Sequence, residues 1–221
     1  GDVIEPVEEG VASTSAGPGC TSPPDARAGR PHLTHPRPVK PFLFLATRAE
    51  DEAADSEYAA MLQYGGLGEG RLERRRLERD PLGDVDPAGY SGIILGGGPF
   101  NVSDPETAKS ETQRRVEAEL RALAERVVAA DFPFLGACYG VGTVGAFLGA
   151  TIDRVYSEPI SVVPVTMTDA GAADPLLEGV PRTFGAFVGH KEAISALPAS
   201  AVLLASSPLC PVQMFRVGEN V

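Results

Sequence analysis

Leu135-Gly136-Ala137-Cys138-Tyr139-Gly140 decides the reading of this chain. An apolar strand, Phe132 to Ala137, runs into a turn of small residues with a single Cys at its apex. A helix-forming run, Val141 to Leu148, follows at once. The G-x-C-x-G spacing is the thiol counterpart of a nucleophile elbow, a sharp strand-to-helix turn that pushes one side chain clear of the backbone. Small neighbours let the chain fold that tightly. The helix that starts there aims its positive end at the sulfur, which favours the thiolate needed to attack a carbonyl carbon.

Working outward, strands and helices alternate on both sides of the elbow. Phe42-Leu43-Phe44-Leu45-Ala46 is a short, fully apolar run, as in a strand covered on both faces. Asp51 to Tyr64 reads as a helix with Tyr58, Met61 and Leu62 on one face, ended by Gly65-Gly66. Gly92-Ile93-Ile94-Leu95 is a second buried strand, closed by Gly96-Gly97-Gly98-Pro99. Ser110-Glu111-Thr112-Gln113 has the capping-box pattern and opens a long helix striped by Val116, Leu120, Leu123, Val127 and Val128. The charged run Arg71 to Arg79 reads as a solvated face. The second half is richer in strand, with candidates at Ile160 to Thr168, Thr183 to Val188, Ala201 to Ala205 and Val212 to Val217.

This order predicts an α/β domain with an open, mainly parallel sheet, mixed at its edge, and helices on both faces. Ligands of such sheets bind beyond the carboxyl ends of the strands. Gly96 to Gly98 and Cys138 both fall on that edge. A phosphate-binding P-loop is not expected there, because no Gly-Lys-Ser/Thr follows the glycines.

Bulk properties narrow the function. The chain has 221 residues, enough for one domain with a substantial core. Its net charge is −11 and its pI about 4.7, which repels phosphates and argues against nucleic acid or an anionic membrane as partner. No apolar run approaches the length of a membrane span, and no basic-then-apolar secretion signal opens the chain. The three Cys (Cys20, Cys138, Cys210) form neither a metal-type pair nor a disulfide framework, so a reducing cytoplasm is the expected compartment. Cys20 reads as a bystander and Cys210 as packing. Residues 1–40 are rich in Pro, Gly, Ser and Thr, lack aromatics, and read as a disordered extension in which His32 and His35 carry no function. The folded domain is then 41–221.

Three segments together resemble the class I glutamine amidotransferases, above all the glutaminase domain of GMP synthetase and its stand-alone relatives. They are Ile93-Ile94-Leu95-Gly96-Gly97-Gly98-Pro99, then Gly136-Ala137-Cys138-Tyr139-Gly140 with Leu148-Gly149-Ala150, and Gly189-His190-Lys191-Glu192 with Leu197-Pro198 and Ala205-Ser206-Ser207. The resemblance spans Phe42 to the final residue and implies a flavodoxin-like fold with no cofactor and no metal. It implies hydrolysis of the glutamine side-chain amide, with the ammonia going to a synthetase partner. Cys138 is implied as the nucleophile that forms a γ-glutamyl thioester. The N–H groups of Tyr139 and of Gly97 and Gly98 are implied as the oxyanion hole. His190 is implied to border the glutamine pocket.

Two departures from the family pattern stand out. The family places a His, followed two residues later by Glu, on a late strand, and the sequence given reaches Val221 just where that strand is due. The expectation is a domain truncated at its C-terminus, with a non-catalytic relative of the same fold as the alternative. The family also often carries Gln four residues after the nucleophile, where this chain has Gly142. Glu158 lies near a segment that lines the pocket in relatives and is given no role. A γ-glutamyl Cys hydrolase acting on peptides is the rival within enzymes.

Overall fold

The computed structural model describes residues 39–221. The expectations for Cys20, His32, His35 and the extension as far as residue 38 lie outside the described residues. The chain runs β1 (Phe42–Ala46), α1 (Asp51–Tyr64), β2 (Leu72–Arg76), β3 (Gly92–Leu95), α2 (Glu111–Ala129), β4 (Phe134–Gly136) and α3 (Tyr139–Leu148). The four strands form one parallel sheet in the order β2-β1-β3-β4. That is the flavodoxin-like order, whose switch point lies between β1 and β3.

Period-two alternation in β1 explains why helices cover both faces. Leu43 and Leu45 point to one side and join Ile93, Leu95, Val116, Leu120, Leu123 and Val127 in the larger core, under α2. Phe44 and Ala46 point to the other side and pack with Leu72, Tyr58, Met61 and Leu62, under α1. The α2 stripe is the one its spacing predicts, and Ser110 caps the helix by accepting the Gln113 N–H at 3.1 Å.

The run of arginines is not a solvated face. Leu72–Arg76 is β2, an edge strand in parallel register with β1. The Arg76 side chain is only 11% exposed; it ion-pairs with Asp51 and Glu78 and donates to the Arg48 carbonyl at 2.9 Å. Arg74 lies 4.7 Å over the Tyr58 ring and donates to the Ala54 carbonyl, while Arg75 reaches the Leu82 carbonyl and the Tyr90 hydroxyl. Long aliphatic stems cover apolar surface while the head groups of Arg74, Arg75 and Arg76 each find an acceptor. The charges also guard an open sheet edge against further pairing.

The remaining strands do not extend the parallel sheet. β5 (Thr151–Asp153) pairs antiparallel with β8 (Ala193–Ala196). β6 (Glu158–Met167), β7 (Thr183–His190), β9 (Ala201–Ser206) and β10 (Met214–Val217) form an antiparallel sheet in the order β10-β9-β6-β7, with the short α4 (Asp169–Ala172) between β6 and β7. No helix among the described residues is long and apolar enough to cross a membrane.

The central strands should dominate stability. Leu45 is fully buried. Leu45→Ala is expected to cost about 3 kcal/mol by lost transfer energy plus the cavity left behind. It should lower the urea midpoint without changing the slope. Val180→Ala, at a partly exposed turn, should stay within about 0.5 kcal/mol in the same measurement.

Candidate active site

Three neighbouring strands of the parallel sheet deliver three loops to one edge. β1 ends in Thr47 and Arg48, β3 ends in Gly96 to Gly98, and β4 ends in Ala137 and Cys138. Only two residues separate β4 from α3, so the chain must reverse sharply. Cys138 takes the strain, with φ 56° and ψ −102°, a conformation non-glycine residues rarely hold. The turn closes because its neighbours lack side chains. A Cβ on Gly136 would sit 2.8 Å from the Gly140 backbone, and one on Gly140 would sit 2.8 Å from the Leu95 carbonyl oxygen. That carbonyl also accepts the Ala137 N–H at 2.8 Å. The elbow is thus pressed onto the end of β3.

The sulfur of Cys138 is exposed, and the triple-glycine turn lies against it. The position a Gly97 Cβ would take is 3.4 Å from Sγ. Tyr139 anchors the first turn of α3: its ring is buried and meets Phe100 edge-on at 5.8 Å, and burial pushes its phenol well above the usual range. Its main-chain N–H belongs to the helix's first turn, where no intrahelical acceptor exists. No hydrogen bond among the described residues occupies the N–H of Tyr139 or of Gly98. Gly97 differs from expectation. Its N–H donates to Glu57 Oε1 at 2.9 Å, so it is already engaged. Of the three donors expected at the site, Tyr139 and Gly98 are thus the two left unoccupied.

A cleft of about 200 Å³ opens from Cys138 and is walled by Gly142, Gly189, His190, Glu192 and Gln213. His190 closes β7, directly opposite Glu158 on β6. Its Nε2 lies 2.9 Å from Glu158 Oε2 and its Nδ1 lies 3.0 Å from the Glu192 carbonyl oxygen. Both neighbours are acceptors, so neither ring nitrogen presents a free lone pair to the thiol. Glu158, 3% exposed, also accepts from Gln213 Nε2 at 2.6 Å and from the Ser207 hydroxyl. This buried carboxylate, without a role in the sequence reading, organises the far wall of the cleft.

Cys210 completes that cluster. The donor atoms of Glu158, His190 and Cys210 lie within 4.8 Å of one another. Each already has a protein partner: the Cys210 thiol donates to the Val212 carbonyl, and burial holds its pKa above the usual thiol range. A larger cleft of about 400 Å³, between Met167 and Arg182, lies apart from Cys138, and its Asp174 is taken up by Arg216.

Glu192 has a task that its sequence neighbourhood does not reveal. It accepts the Val102 and Ser103 N–H groups, each at 2.7 Å, and so ties the loop after the glycines to the late strands. Its Oε1 is 3.3 Å from where a Gly142 Cβ would be. Glu57 and Thr47 are equally silent in the sequence. Their roles depend on contacts 40 and 50 residues along the chain, which no local pattern announces.

Comparison with known proteins bears on the family and the fold. The sequence model of glutamine amidotransferase class-I matches residues 72–216. The GMP synthase (glutamine-hydrolyzing) of Acetivibrio thermocellus is 26% identical over 176 residues, covering 75% of this chain and 31% of the relative. A GMP synthase (glutamine-hydrolyzing) subunit from Pyrococcus abyssi is 27% identical over 139 residues, covering 63% of this chain and 65% of the relative. The chain thus spans less than a third of the first of these proteins and just under two thirds of the second. Among solved structures, a glutamine amidotransferase from Thermotoga maritima superposes with a TM-score of 0.66 at 18% identity, covering 81% of this chain and 72% of that one. One from Methylobacillus flagellatus gives 0.61 at 21% identity, covering 81% and 66%. These two establish likeness of fold, and the match over 72–216 establishes kinship: the chain belongs to the class I glutamine amidotransferase family.

Proposed function

We propose that residues 41–221 form a glutaminase domain that hydrolyses the side-chain amide of glutamine through a Cys138 thioester. The observation that carries this reading is the strained elbow, which holds an exposed sulfur against the glycine turn. Thiolate Sγ attacks the amide carbon, and the electron pair of the C=O moves onto oxygen. The N–H groups of Tyr139 and Gly98 stabilise that oxyanion, on the order of 3 kcal/mol for each preorganised donor. Collapse re-forms the C=O and breaks the C–N bond, and the nitrogen takes a proton from solvent water and leaves as ammonia. Water then cleaves the γ-glutamyl thioester to glutamate and restores the thiol. His190 shapes the cleft and does not act as the base, because both of its nitrogens are tied.

The ammonia is passed to a synthetase partner. Relatives named as glutamine-hydrolyzing GMP synthases, one of them named as a subunit, favour a nucleotide-amidating acceptor. The match between Gly142 and Glu192 favours a second reading, in which the amino-acid end of the substrate is held differently and γ-glutamyl peptides are cleaved.

Glutamate release, measured on the full-length gene product with glutamine and with γ-glutamyl peptides, separates the two readings. Cys138→Ala is expected to lower the preferred activity at least 10³-fold, as loss of a covalent nucleophile does. Equal activity in both proteins would overturn the thioester. The thiols themselves give a further check. In a Cys20→Ser background, iodoacetamide should label Cys138 in the folded protein and leave the buried Cys210 unmodified until denaturant is added. Equal labelling of both in the native state would contradict the described site.

A further inference from the structure

The peptide joining Gly97 to Gly98 has a glycine on each side, so little in its own backbone prevents it from flipping. A flip would turn a carbonyl oxygen, instead of an N–H, toward the place where negative charge develops. Thr47, outside the turn, opposes this directly, and Glu57 fixes the preceding peptide. Thr47, fully buried at the end of β1, donates its hydroxyl to the Gly97 carbonyl at 3.0 Å. Glu57, on α1 and 13% exposed, accepts the Gly97 N–H and pairs through its other oxygen with Arg48 Nε at 3.3 Å. The fit around Thr47 is close: a Cβ on Gly98 would collide with the Thr47 hydroxyl.

A trans peptide is planar, with its C=O and N–H directed oppositely. Holding the Gly97 carbonyl toward Thr47 therefore directs the Gly98 N–H away from Thr47. The Cys138 sulfur faces this same turn, 3.4 Å from where a Cβ on Gly97 would stand. We propose that the Thr47 hydroxyl is a positioning residue that locks the Gly97–Gly98 peptide with the Gly98 N–H as the turn's oxyanion donor, while Glu57 takes up the N–H of Gly97. This rests on the thioester reading and adds to it a specific donor and the group that aims it.

The test compares two reactions of the same thiol in the full-length protein. Acylation by a γ-glutamyl aryl ester passes through a tetrahedral oxyanion: the S–C bond forms, the C–O bond breaks, and aryloxide leaves with the electron pair. Alkylation by iodoacetamide displaces iodide at a saturated carbon and needs no such donor. Thr47→Val keeps the shape and removes the hydroxyl. It is expected to slow single-turnover acylation about 10- to 100-fold, the loss typical of one misdirected oxyanion donor. Alkylation should stay within about two-fold, since the exposure of the thiol and its helix N-terminus are unchanged. Thr47→Ser, which restores the donor, should return acylation to within about three-fold of the original.

Normal acylation in Thr47→Val, or no rescue by Ser, overturns the proposal and leaves the thioester standing. Equal slowing of both reactions also overturns it, because the hydroxyl would then support the fold or the thiol in general. An original protein that is alkylated but never acylated removes the thioester reading and this proposal with it.

Discussion

Everything at the cleft depends on how closely the start of α3 approaches the end of β3. Gly136 and Gly140 let the elbow sit against the Leu95 carbonyl, and that contact sets both the height of the sulfur and its distance from the glycine turn. The unfavourable backbone angles at Cys138 cost roughly 1–3 kcal/mol, and they persist only because the flanking elements are fully packed. Tyr139 and Val144 belong to the same buried cluster as Leu43, Leu45 and Leu95. The core that folds the domain is thus the core that holds the Cys138 elbow in place.

The other wall of the cleft is built on a different physical principle. There the ordering element is a buried carboxylate rather than close backbone packing. Glu158 gathers His190, Gln213 and Ser207 around two oxygens, and the cost of burying it is offset by charge-assisted hydrogen bonds from those partners. β6, β7 and the 207–213 turn meet at this one group. The imidazole spans Glu158 and the Glu192 carbonyl, so it and the acid act as a unit in shaping the pocket.

Much of this is readable in the chain itself. The apolar run of β1, the stripe and Ser110 cap of α2, and the spacing around Cys138 are local signals, and each element lies where its own residues put it. β2 is not readable, because Arg74, Arg75 and Arg76 look like solvent-facing charge until Asp51, Glu78, Tyr58 and the Leu82 carbonyl are brought to them by the fold. β5 and β8 are too short to show a period. The site divides the same way. Cys138 and its glycines announce themselves by spacing. The engagement of Gly97 by Glu57, and of the Gly97 carbonyl by Thr47, arises only when β1, α1 and β3 lie side by side.

Gly142 looks in the sequence like a vacancy, a place where a longer pocket side chain has been lost. In three dimensions an acid reaching across from the turn between β7 and β8 comes up to that space, with each of its oxygens committed to a main-chain amide of the 102–103 loop. Any side chain at this position would press on that acid and on Val102, each 3.3 Å from where a Cβ would stand. The size of residue 142 and the anchoring of the 102–103 loop are thus coupled through one carboxylate.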